Sequence, residues 1–497
     1  MSSRNSLRPV GRSKPVNDAG PAAGASLATT KSVQRLALWS SPFIVFGVFY
    51  LAAGIDSTGL VAVLVSIWAL GSIYAVEVVE ARGWAATLAL FSVAVLSPIN
   101  STSTVRVIGL AAATIVMILV LFRSSRPRVP KSGQIRAGAW LFTSYVLITV
   151  ESSIGGQTTA AQFLVFLLAF LVAAAVCTLR FTREDVRTFM FGIFGLAVFE
   201  VILGVIELQT GRGPLWALVG RTEGPGLRNT FLGSGDFRVL GSLGHPIIYG
   251  MIACIVILFA VDMSLALARR WRIVFGLVGV TMLVLSGTRS AVVALSVTLV
   301  YLFIVIARSA VTRLRNAFIA LIGTAFTVLL FPGLLSALDD STDYLVNSGS
   351  YTHRQGAIEA IPRLLAQEDP LRWLFGTGFN SLSRAYAEGL LQNDGLDVPD
   401  NQVVTSLVTT GVIGLLAVVG LFVNAIIRGS RAFTPSLVLV AIMFFSFDAL
   451  VWPVALLLIT VFWLTPREGA VLAEPDGKLA VPSRFDHRGA LRPAFRS

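Results

Sequence analysis

The chain has 497 residues, of which 55% are hydrophobic and 13% charged, with a mean hydropathy of +0.78 and a formal net charge of +12. A water-soluble protein of this length needs far more charge to cover its surface, so the composition excludes a soluble enzyme and predicts a polytopic membrane protein. Two cysteines in apolar runs and three histidines outside any cluster exclude a disulfide framework and give a transition metal no ligand set, so we expect neither metal nor cofactor.

The N-terminal residues 1–35 are rich in Ser, Pro, Gly and Ala and predict a disordered cytoplasmic tail. Beyond them, apolar runs of roughly 15 to 25 residues recur, each long enough to cross most or all of a ~30 Å hydrocarbon core. We therefore predict an all-α, polytopic membrane protein with about 12 to 14 transmembrane helices. The predicted helices lie near 36–55, 58–76, 83–98, 104–122, 137–153, 161–179, 188–207, 244–266, 273–287, 289–307, 316–335, 403–427, 433–447 and 449–464.

Basic residues indicate the orientation of these helices. If the N terminus is cytoplasmic, the clusters that contain Arg128, Arg183, Arg270 and Arg428 all fall on the cytoplasmic side, as the positive-inside rule requires. The same parity favours two helices, not one broken helix, in the last apolar stretch. The net charge of +12 then reflects membrane topology, so no nucleic-acid partner is expected.

This topology divides the chain into four parts. The predicted parts are a cytoplasmic tail at 1–35, N-terminal transmembrane helices at 36–207, a membrane domain at 208–464 with a large external loop at 336–402, and a cytoplasmic tail at 465–497.

The basic residues predicted to lie outside are all arginines. A planar guanidinium suits bidentate binding of phosphate or carboxylate, for which lysine is a weaker choice. Pairing with Asp and Glu of the same loops remains the alternative for any single one of them. The set comprises Arg106, Arg212, Arg221, Arg228, Arg238, Arg289, Arg354, Arg363, Arg372 and Arg384.

Two short outer segments carry candidate site residues. The loop that contains Arg238 leads through His245-Pro246 into a helix, where a proline in the first turn is expected but the histidine is not explained. Ser286-Gly287-Thr288-Arg289 forms a tight turn before another helix, so hydroxyls, free N–H groups and a guanidinium would meet there as an anion site. Arg289 could instead extend to the lipid headgroups.

The large external loop supplies the remaining candidates. Residues 354–365 have the apolar spacing of a short interfacial or lid helix interrupted by Pro362. Gly376-Thr377-Gly378 lacks the lysine of a nucleotide-binding loop and predicts a turn. Asp400-Asn401 precedes the helix at Val403, and either residue could cap that helix while the other takes part in catalysis.

These segments together resemble the O-antigen ligase and O-antigen polymerase superfamily. The resemblance covers roughly residues 238–464, and in the N-terminal helices it extends only to hydropathy. The matching segments, in order, are Arg238…Gly244-His245-Pro246…Gly250, Ser286-Gly287-Thr288-Arg289, Arg354 with Phe375-Gly376-Thr377-Gly378, and Asp400-Asn401…Thr410-Gly411-Val412-Ile413-Gly414.

The resemblance implies a GT-C-like, metal-independent, inverting glycosyltransferase in the bacterial cytoplasmic membrane, with its active site facing outside. Its partners would be a polyprenyl-pyrophosphate-linked glycan donor, a glycan or lipid acceptor, membrane lipids and other polysaccharide assembly proteins. By resemblance, Arg289, Arg354 and Arg238 would bind the pyrophosphate, with Ser286, Thr288 and Asn401 in support. Asp400 replaces the histidine usual in ligases, which favours a polymerase and leaves Asp400 and His245 as rival bases.

Three other functions remain open. A ligase would use a different lipid or a protein as acceptor. A transporter of anionic solutes would also have many helices and arginines, with Glu200 as a coupling residue, although no inverted repeat of broken helices is found. A flippase partner or scaffold of a glycan assembly system would keep the loops without clustering their arginines.

Overall fold

A computed structural model describes residues 82–96, 110–111, 113–114, 168–169, 183–211, 229, 231–232, 237–262, 265, 267–305, 349–366, 369–378, 381–391, 399–428, 430 and 432–464. Within these ranges the chain is helical and contains no strand. The helices are α1 Arg82–Leu96, α2 Arg183–Thr210, α3 Pro246–Val261, α4 Arg269–Ser286, α5 Arg289–Val300, α6 Gly349–Glu359, α7 Ile361–Leu365, α8 Pro370–Phe375, α9 Leu382–Ala387, α10 Gln402–Arg428, α11 Thr434–Met443 and α12 Pro453–Leu464.

The helices predicted near 83–98, 188–207, 244–266, 273–287, 289–307 and 403–427 are confirmed with small differences in length. The last apolar stretch forms two helices, α11 and α12, as the charge parity predicted. The helices predicted near 36–55, 58–76, 137–153 and 316–335 lie outside the described residues, as do most of those near 104–122 and 161–179.

Two of the described helices, at Asp185–Thr210 and Gln402–Ile427, are long and apolar enough to cross a membrane. Shorter apolar helices pack around them, which is consistent with a membrane protein. On α10, Leu416, Val419, Val423 and Ile427 are all about half exposed or more and follow one face at spacings of three and four residues. Such a continuous apolar face suits contact with lipid chains.

Helix α3 forms the centre of the bundle and is buried along its length from Pro246 to Ala260. It packs against α2, α4, α5 and α11. Glycine permits the close crossing of α4, because a Cβ on Gly279 would lie 2.7 Å from Cγ1 of Ile257. At the far end of α3, Arg272 donates from Nη1 to the carbonyl oxygen of Asp262 at 3.1 Å and so ties α3 to the start of α4.

Helix α10 is broken at Gly411, where φ is 64° and ψ is −168°. The turn after α8 docks onto this break: the backbone N–H of Thr377 donates to Val408 O at 2.8 Å, and that of Gly378 donates to Thr409 O at 3.0 Å. These two donors replace the helical partners that the break removes. The predicted turn at Gly376-Thr377-Gly378 is therefore confirmed, with Gly376 and Gly378 both at positive φ.

Helices α6 to α9 rest on the half of α10 that precedes Gly411. The predicted 354–365 helix is divided into α6 and α7, with Pro362 in the first turn of α7, where its missing N–H costs nothing. Ala357, Ala360 and Leu364 form a small buried cluster with Val404 and Val408 of α10. This packing fixes the position of α6 relative to the start of α10.

Candidate active site

One end of the bundle brings together the start of α3, the turn between α4 and α5, the start of α10 and the segment 444–452 that joins α11 to α12. Thr288 Oγ1 donates to Pro246 O at 2.9 Å, which links the α4–α5 turn to α3. The rings of His245 and Trp452 lie 5.1 Å apart, which links α3 to the 444–452 segment. The predicted site residues, far apart in sequence, therefore share one end of the molecule.

Two buried glutamates of α2 hold the turn that precedes His245. Glu207 accepts hydrogen bonds from the backbone N–H groups of Leu240 and Gly241, and Glu200 accepts from the N–H and hydroxyl of Ser242. Gly241 has φ of 55°, and a Cβ there would collide with the Glu200 carboxylate. The carboxylates thus fix the backbone between Arg238 and α3.

His245 is itself the N-cap of α3. Its Nδ1 accepts from the N–H of Ile247 at 3.2 Å, and Pro246 occupies the first turn. The expectation that capping would leave the histidine unexplained was therefore wrong. With Nδ1 as acceptor, a neutral imidazole carries its proton on Nε2.

The Ser286-Gly287-Thr288-Arg289 turn is fixed by its own side chains. Ser286 Oγ donates to Leu283 O at 2.7 Å and accepts from the N–H of Thr288 at 3.1 Å. The hydroxyls of Ser286 and Thr288 thus hold the turn in place, and Gly287 within it has φ of 57°. Arg289 begins α5 directly after this turn.

Arg238 lies at the same corner. A Cβ on Gly287 would approach Cγ of Arg238 to 3.1 Å, and the N–H of Val239 donates to Leu285 O at 3.1 Å. Asn229 closes the corner by donating from Nδ2 to the carbonyl oxygens of Val284 and Leu285. Two of the predicted arginines, Arg238 and Arg289, are therefore brought to one turn.

The third arginine, Arg354 of α6, lies beside Asp400. Burial lowers the pKa of Arg354, and the Asp400 carboxylate opposes that shift. Burial also raises the pKa of Asp400, against the opposing charges of Arg354 and His353. Asp400 has φ of 44°, a strained conformation for a residue other than glycine, and such strain is common at functional sites.

Asn401, not Asp400, caps α10. Its Oδ1 accepts from the N–H of Val403 at 2.9 Å and from that of Val404 at 3.3 Å. Because one residue of the pair accounts for the cap, the other is not required for it. The Asp400 carboxylate is therefore not needed to start this helix.

The segment 444–452 adds residues that the sequence analysis did not select. Gln402 binds it twice, donating from its N–H to Phe444 O at 2.8 Å and accepting from the N–H of Leu450 at 2.7 Å. This places Asp448 next to Asp400. Burial and the Asp400 carboxylate raise the pKa of Asp448 to about 7, while hydrogen bonds to its own backbone and to the side chain of Trp452 oppose the rise.

The site is therefore continuous from the arginine corner to the carboxylates. Asp448 contacts Trp452, Trp452 packs on His245, and His245 begins the helix whose first carbonyl binds the α4–α5 turn. A signal for Asp448 was present, since it is the lone acid in a long apolar stretch, and such residues are usually functional. No sequence pattern singled out Trp452 or the buried His353.

The chemical character of the site follows from these residues. It offers guanidinium groups for an anion and carboxylates with raised pKa values for proton transfer. Among the residues that the structure describes, no group of three or more His, Cys, Asp or Glu side chains is arranged to hold a metal ion.

Residues 273–419 match the model of the family described as O-Antigen ligase. The match includes Arg289, Arg354, Asp400 and Asn401, whereas Arg238 and His245 precede it and Asp448 follows it. No curated protein matches the chain.

Proposed function

We propose that this chain, whose residues 273–419 match the O-Antigen ligase family model, is a membrane glycosyltransferase that uses a polyprenyl-pyrophosphate-linked glycan as donor. It would transfer or polymerise the glycan onto an acceptor hydroxyl at the outer face of the bacterial cytoplasmic membrane. The observation that carries the proposal is the position of Asp400 beside Arg354, at the end of the bundle that also holds Arg238 and Arg289.

In the proposed reaction, the acceptor oxygen attacks the anomeric carbon on the face opposite the pyrophosphate. The new glycosidic bond forms as the bond between the anomeric carbon and the pyrophosphate oxygen breaks, so the configuration inverts. The bonding electrons leave with the pyrophosphate, whose added charge Arg289, Arg354 and Arg238 stabilise in the role that a metal ion has in other enzymes. The proton of the acceptor hydroxyl passes to Asp400.

Asp400 fits the role of base better than His245. Its pKa is raised by burial, which brings its proton affinity closer to that required near neutral pH. The Nδ1 lone pair of His245 accepts from the N–H of Ile247 as the cap of α3, so this nitrogen is not available as a base.

The transporter alternative receives no support from Glu200. A coupling carboxylate must exchange partners during transport, whereas Glu200 accepts from the N–H and hydroxyl of Ser242 and its backbone carbonyl accepts from Tyr249 Oη at 2.7 Å. These contacts suit a fixed structural role. A ligase and a polymerase would share the proposed chemistry and differ only in the acceptor.

The proposal is tested by Arg289→Lys and Asp400→Asn in cells that depend on the protein for its product. Lysine keeps the charge but loses the bidentate fork, and asparagine keeps the size of the aspartate but cannot accept the proton, so each variant should lose about 100-fold or more of activity. The measurement is accumulation of unextended lipid-linked oligosaccharide with loss of the polymer or ligated product, at equal amounts of folded protein.

Matched controls come from the exposed helices of the external loop. Arg384 pairs with Glu388 at 2.6 Å, and Asp369 caps α8 by accepting from the N–H of Leu371 at 3.0 Å. Arg384→Lys and Asp369→Asn make the same chemical changes outside the site and should leave activity near that of the wild type. Normal turnover by both Arg289→Lys and Asp400→Asn would refute the proposed active site.

A further inference from the structure

Three polar atoms near Asp400 are buried and have no hydrogen-bond partner in the described part of the chain: Nε of Arg354, Nδ2 of Asn401 and Oγ1 of Thr405. Asn401 is 1% exposed and Thr405 is 2% exposed. Because most buried polar groups in proteins are hydrogen-bonded, a group of three such atoms calls for a partner of another kind. Ser436 Oγ and Trp463 Nε1 also have no partner, but they lie at the ends of α11 and α12 that are far from this site.

Thr405 differs from the other polar residues in the half of α10 that precedes Gly411. Thr409 and Thr410 return their hydroxyls to the carbonyl oxygens four residues earlier, at 2.7 Å and 2.9 Å, and Gln402 donates to Ser406 Oγ at 3.0 Å. Thr405 Oγ1 makes no such bond to the carbonyl oxygen of Asn401, four residues earlier. That oxygen accepts from the backbone N–H of Thr405 at 2.9 Å. The Thr405 hydroxyl is therefore held away from the helix backbone.

The residues that carry the unpartnered atoms lie in or beside the start of α10. Oδ1 of Asn401 faces the helix end that it caps, so Nδ2 points away from that end. Thr405 lies one turn further along the same face. Arg354 lies beside Asp400, the residue that precedes Asn401.

We propose that Asn401, Thr405 and the Nε edge of Arg354 form the acceptor subsite and bind ring and hydroxyl oxygens of a neutral sugar next to Asp400. This inference rests on the proposed glycosyltransferase function. The amide and Nε are donors, and Thr405 can donate or accept, which suits the oxygens of a sugar. Asp400 and Asp448 lie beside these groups, and two acidic side chains disfavour an anionic ligand.

The active site would then have two ends of different chemistry. The corner formed by Arg238 and Arg289 is cationic and suits the pyrophosphate of the donor. The side chains of Asn401 and Thr405 are uncharged and suit the acceptor sugar. Asp400 belongs to this second corner, where the acceptor hydroxyl must lose its proton, and Arg354 would contact the sugar through Nε and the pyrophosphate through its terminal nitrogens.

Binding of two separate probes to the full-length protein in detergent micelles tests this division. The first probe is the free oligosaccharide released by mild acid from the lipid-linked precursor of cells that lack the protein. The second is inorganic pyrophosphate. Calorimetry gives a dissociation constant for each.

Thr405→Val removes the hydroxyl at nearly constant volume, and Asn401→Ser keeps a capping oxygen but removes the amide. Each should weaken oligosaccharide binding about tenfold and leave pyrophosphate binding unchanged. Thr405→Ser, which keeps the hydroxyl, should restore binding, and Thr410→Val, whose hydroxyl bonds only to its own helix, should bind like the wild type. Arg289→Lys should weaken pyrophosphate binding and leave oligosaccharide binding unchanged.

The inference is overturned if Thr405→Val and Asn401→Ser bind the oligosaccharide like the wild type, if they weaken pyrophosphate binding equally, or if the wild type binds no oligosaccharide at millimolar concentration. Thermal unfolding midpoints equal to that of the wild type would show that the variants are folded. If the midpoint of one variant falls, the difference in oligosaccharide binding between Thr405→Ser and Thr405→Val tests the role of the hydroxyl. Failure of this inference would leave the loss of product in Asp400→Asn intact, so it is distinguishable from failure of the proposed function.

Discussion

Asp448, in the segment between α11 and α12, has a pKa that the fold raises strongly. Its pKa is raised to about 7, above the usual 3.8, mainly by burial. Asp400, Arg354 and His353 are the titratable groups around the carboxylate pair. A hydrogen bond from the side chain of Trp452 holds Asp448 beside Trp452, and the ring of Trp452 packs on that of His245.

The raised pKa of Asp448 predicts a pH-dependent stability. A carboxyl whose folded pKa exceeds its unfolded pKa stabilises the fold below the unfolded value, and this contribution is lost as the pH rises through the folded value. The thermal unfolding midpoint of the wild type should therefore fall as the pH is raised from ~4 to ~7, between the unfolded and the folded pKa of Asp448, and should fall no further through this group above that range. Asp448→Asn, which cannot ionise, should reduce that fall, and an unchanged pH profile in this variant would contradict the assignment.

At the scale of the element, the break in α10 is the feature on which the site depends. Gly411 is left-handed, and a Cβ there would collide with the carbonyl of Leu374 in α8. The break therefore receives the turn at Thr377 and Gly378, which holds α8 against the half of α10 that precedes Gly411. This half carries Thr405, and Asn401 caps its start.

Gly411→Ala should destabilise the protein by at least about 2 kcal/mol, because left-handed strain adds to a backbone collision. Gly389→Ala is the matched control, since Gly389 has φ of 70° but open space around its Cβ position. Its cost should be roughly 1 kcal/mol, from the strain alone. Thermal unfolding in detergent measures both, and equal losses in the two variants would show that the docking of α8 on α10 contributes nothing.

Local sequence pattern predicted the long apolar helices and the turn after α8. Apolar runs located the helices, and Gly376-Thr377-Gly378 indicated a turn. The sequence did not show that this turn completes the hydrogen bonds of a broken helix, because the partners are about thirty residues apart and only packing brings them together.

At the scale of the whole molecule, the two ends of the bundle differ in chemistry. His245, Arg289, Asp400 and Asp448 share one end, whereas the opposite end of α4 begins with Arg269 and Arg270. This separation agrees with a site at the outer face and a basic cytoplasmic face.

Single-cysteine labelling tests this orientation in a background without the native Cys177 and Cys254. A membrane-impermeant maleimide added to intact spheroplasts should modify cysteines at Ser234 and Ser348 but not at Ser13 or Ser483. Cytoplasmic positions should react only after the membrane is permeabilised. Labelling of position 483 from outside would remove one crossing and reverse the predicted orientation of the C-terminal tail.

The sequence by itself determined the helical class, the positions of the long apolar helices that the structure describes, and the short polar segments that contain Arg238, Arg289, Arg354 and Asp400. These features depend on hydropathy and on the chemistry of short segments, which a linear pattern records. Only the tertiary structure decided the roles of Glu200 as an anchor of the Ser242 turn, His245 as a helix cap, and Asp448 as the neighbour of Asp400. The reason is physical: burial, helix packing and long-range hydrogen bonds determine which polar groups are paired and which remain available for a substrate.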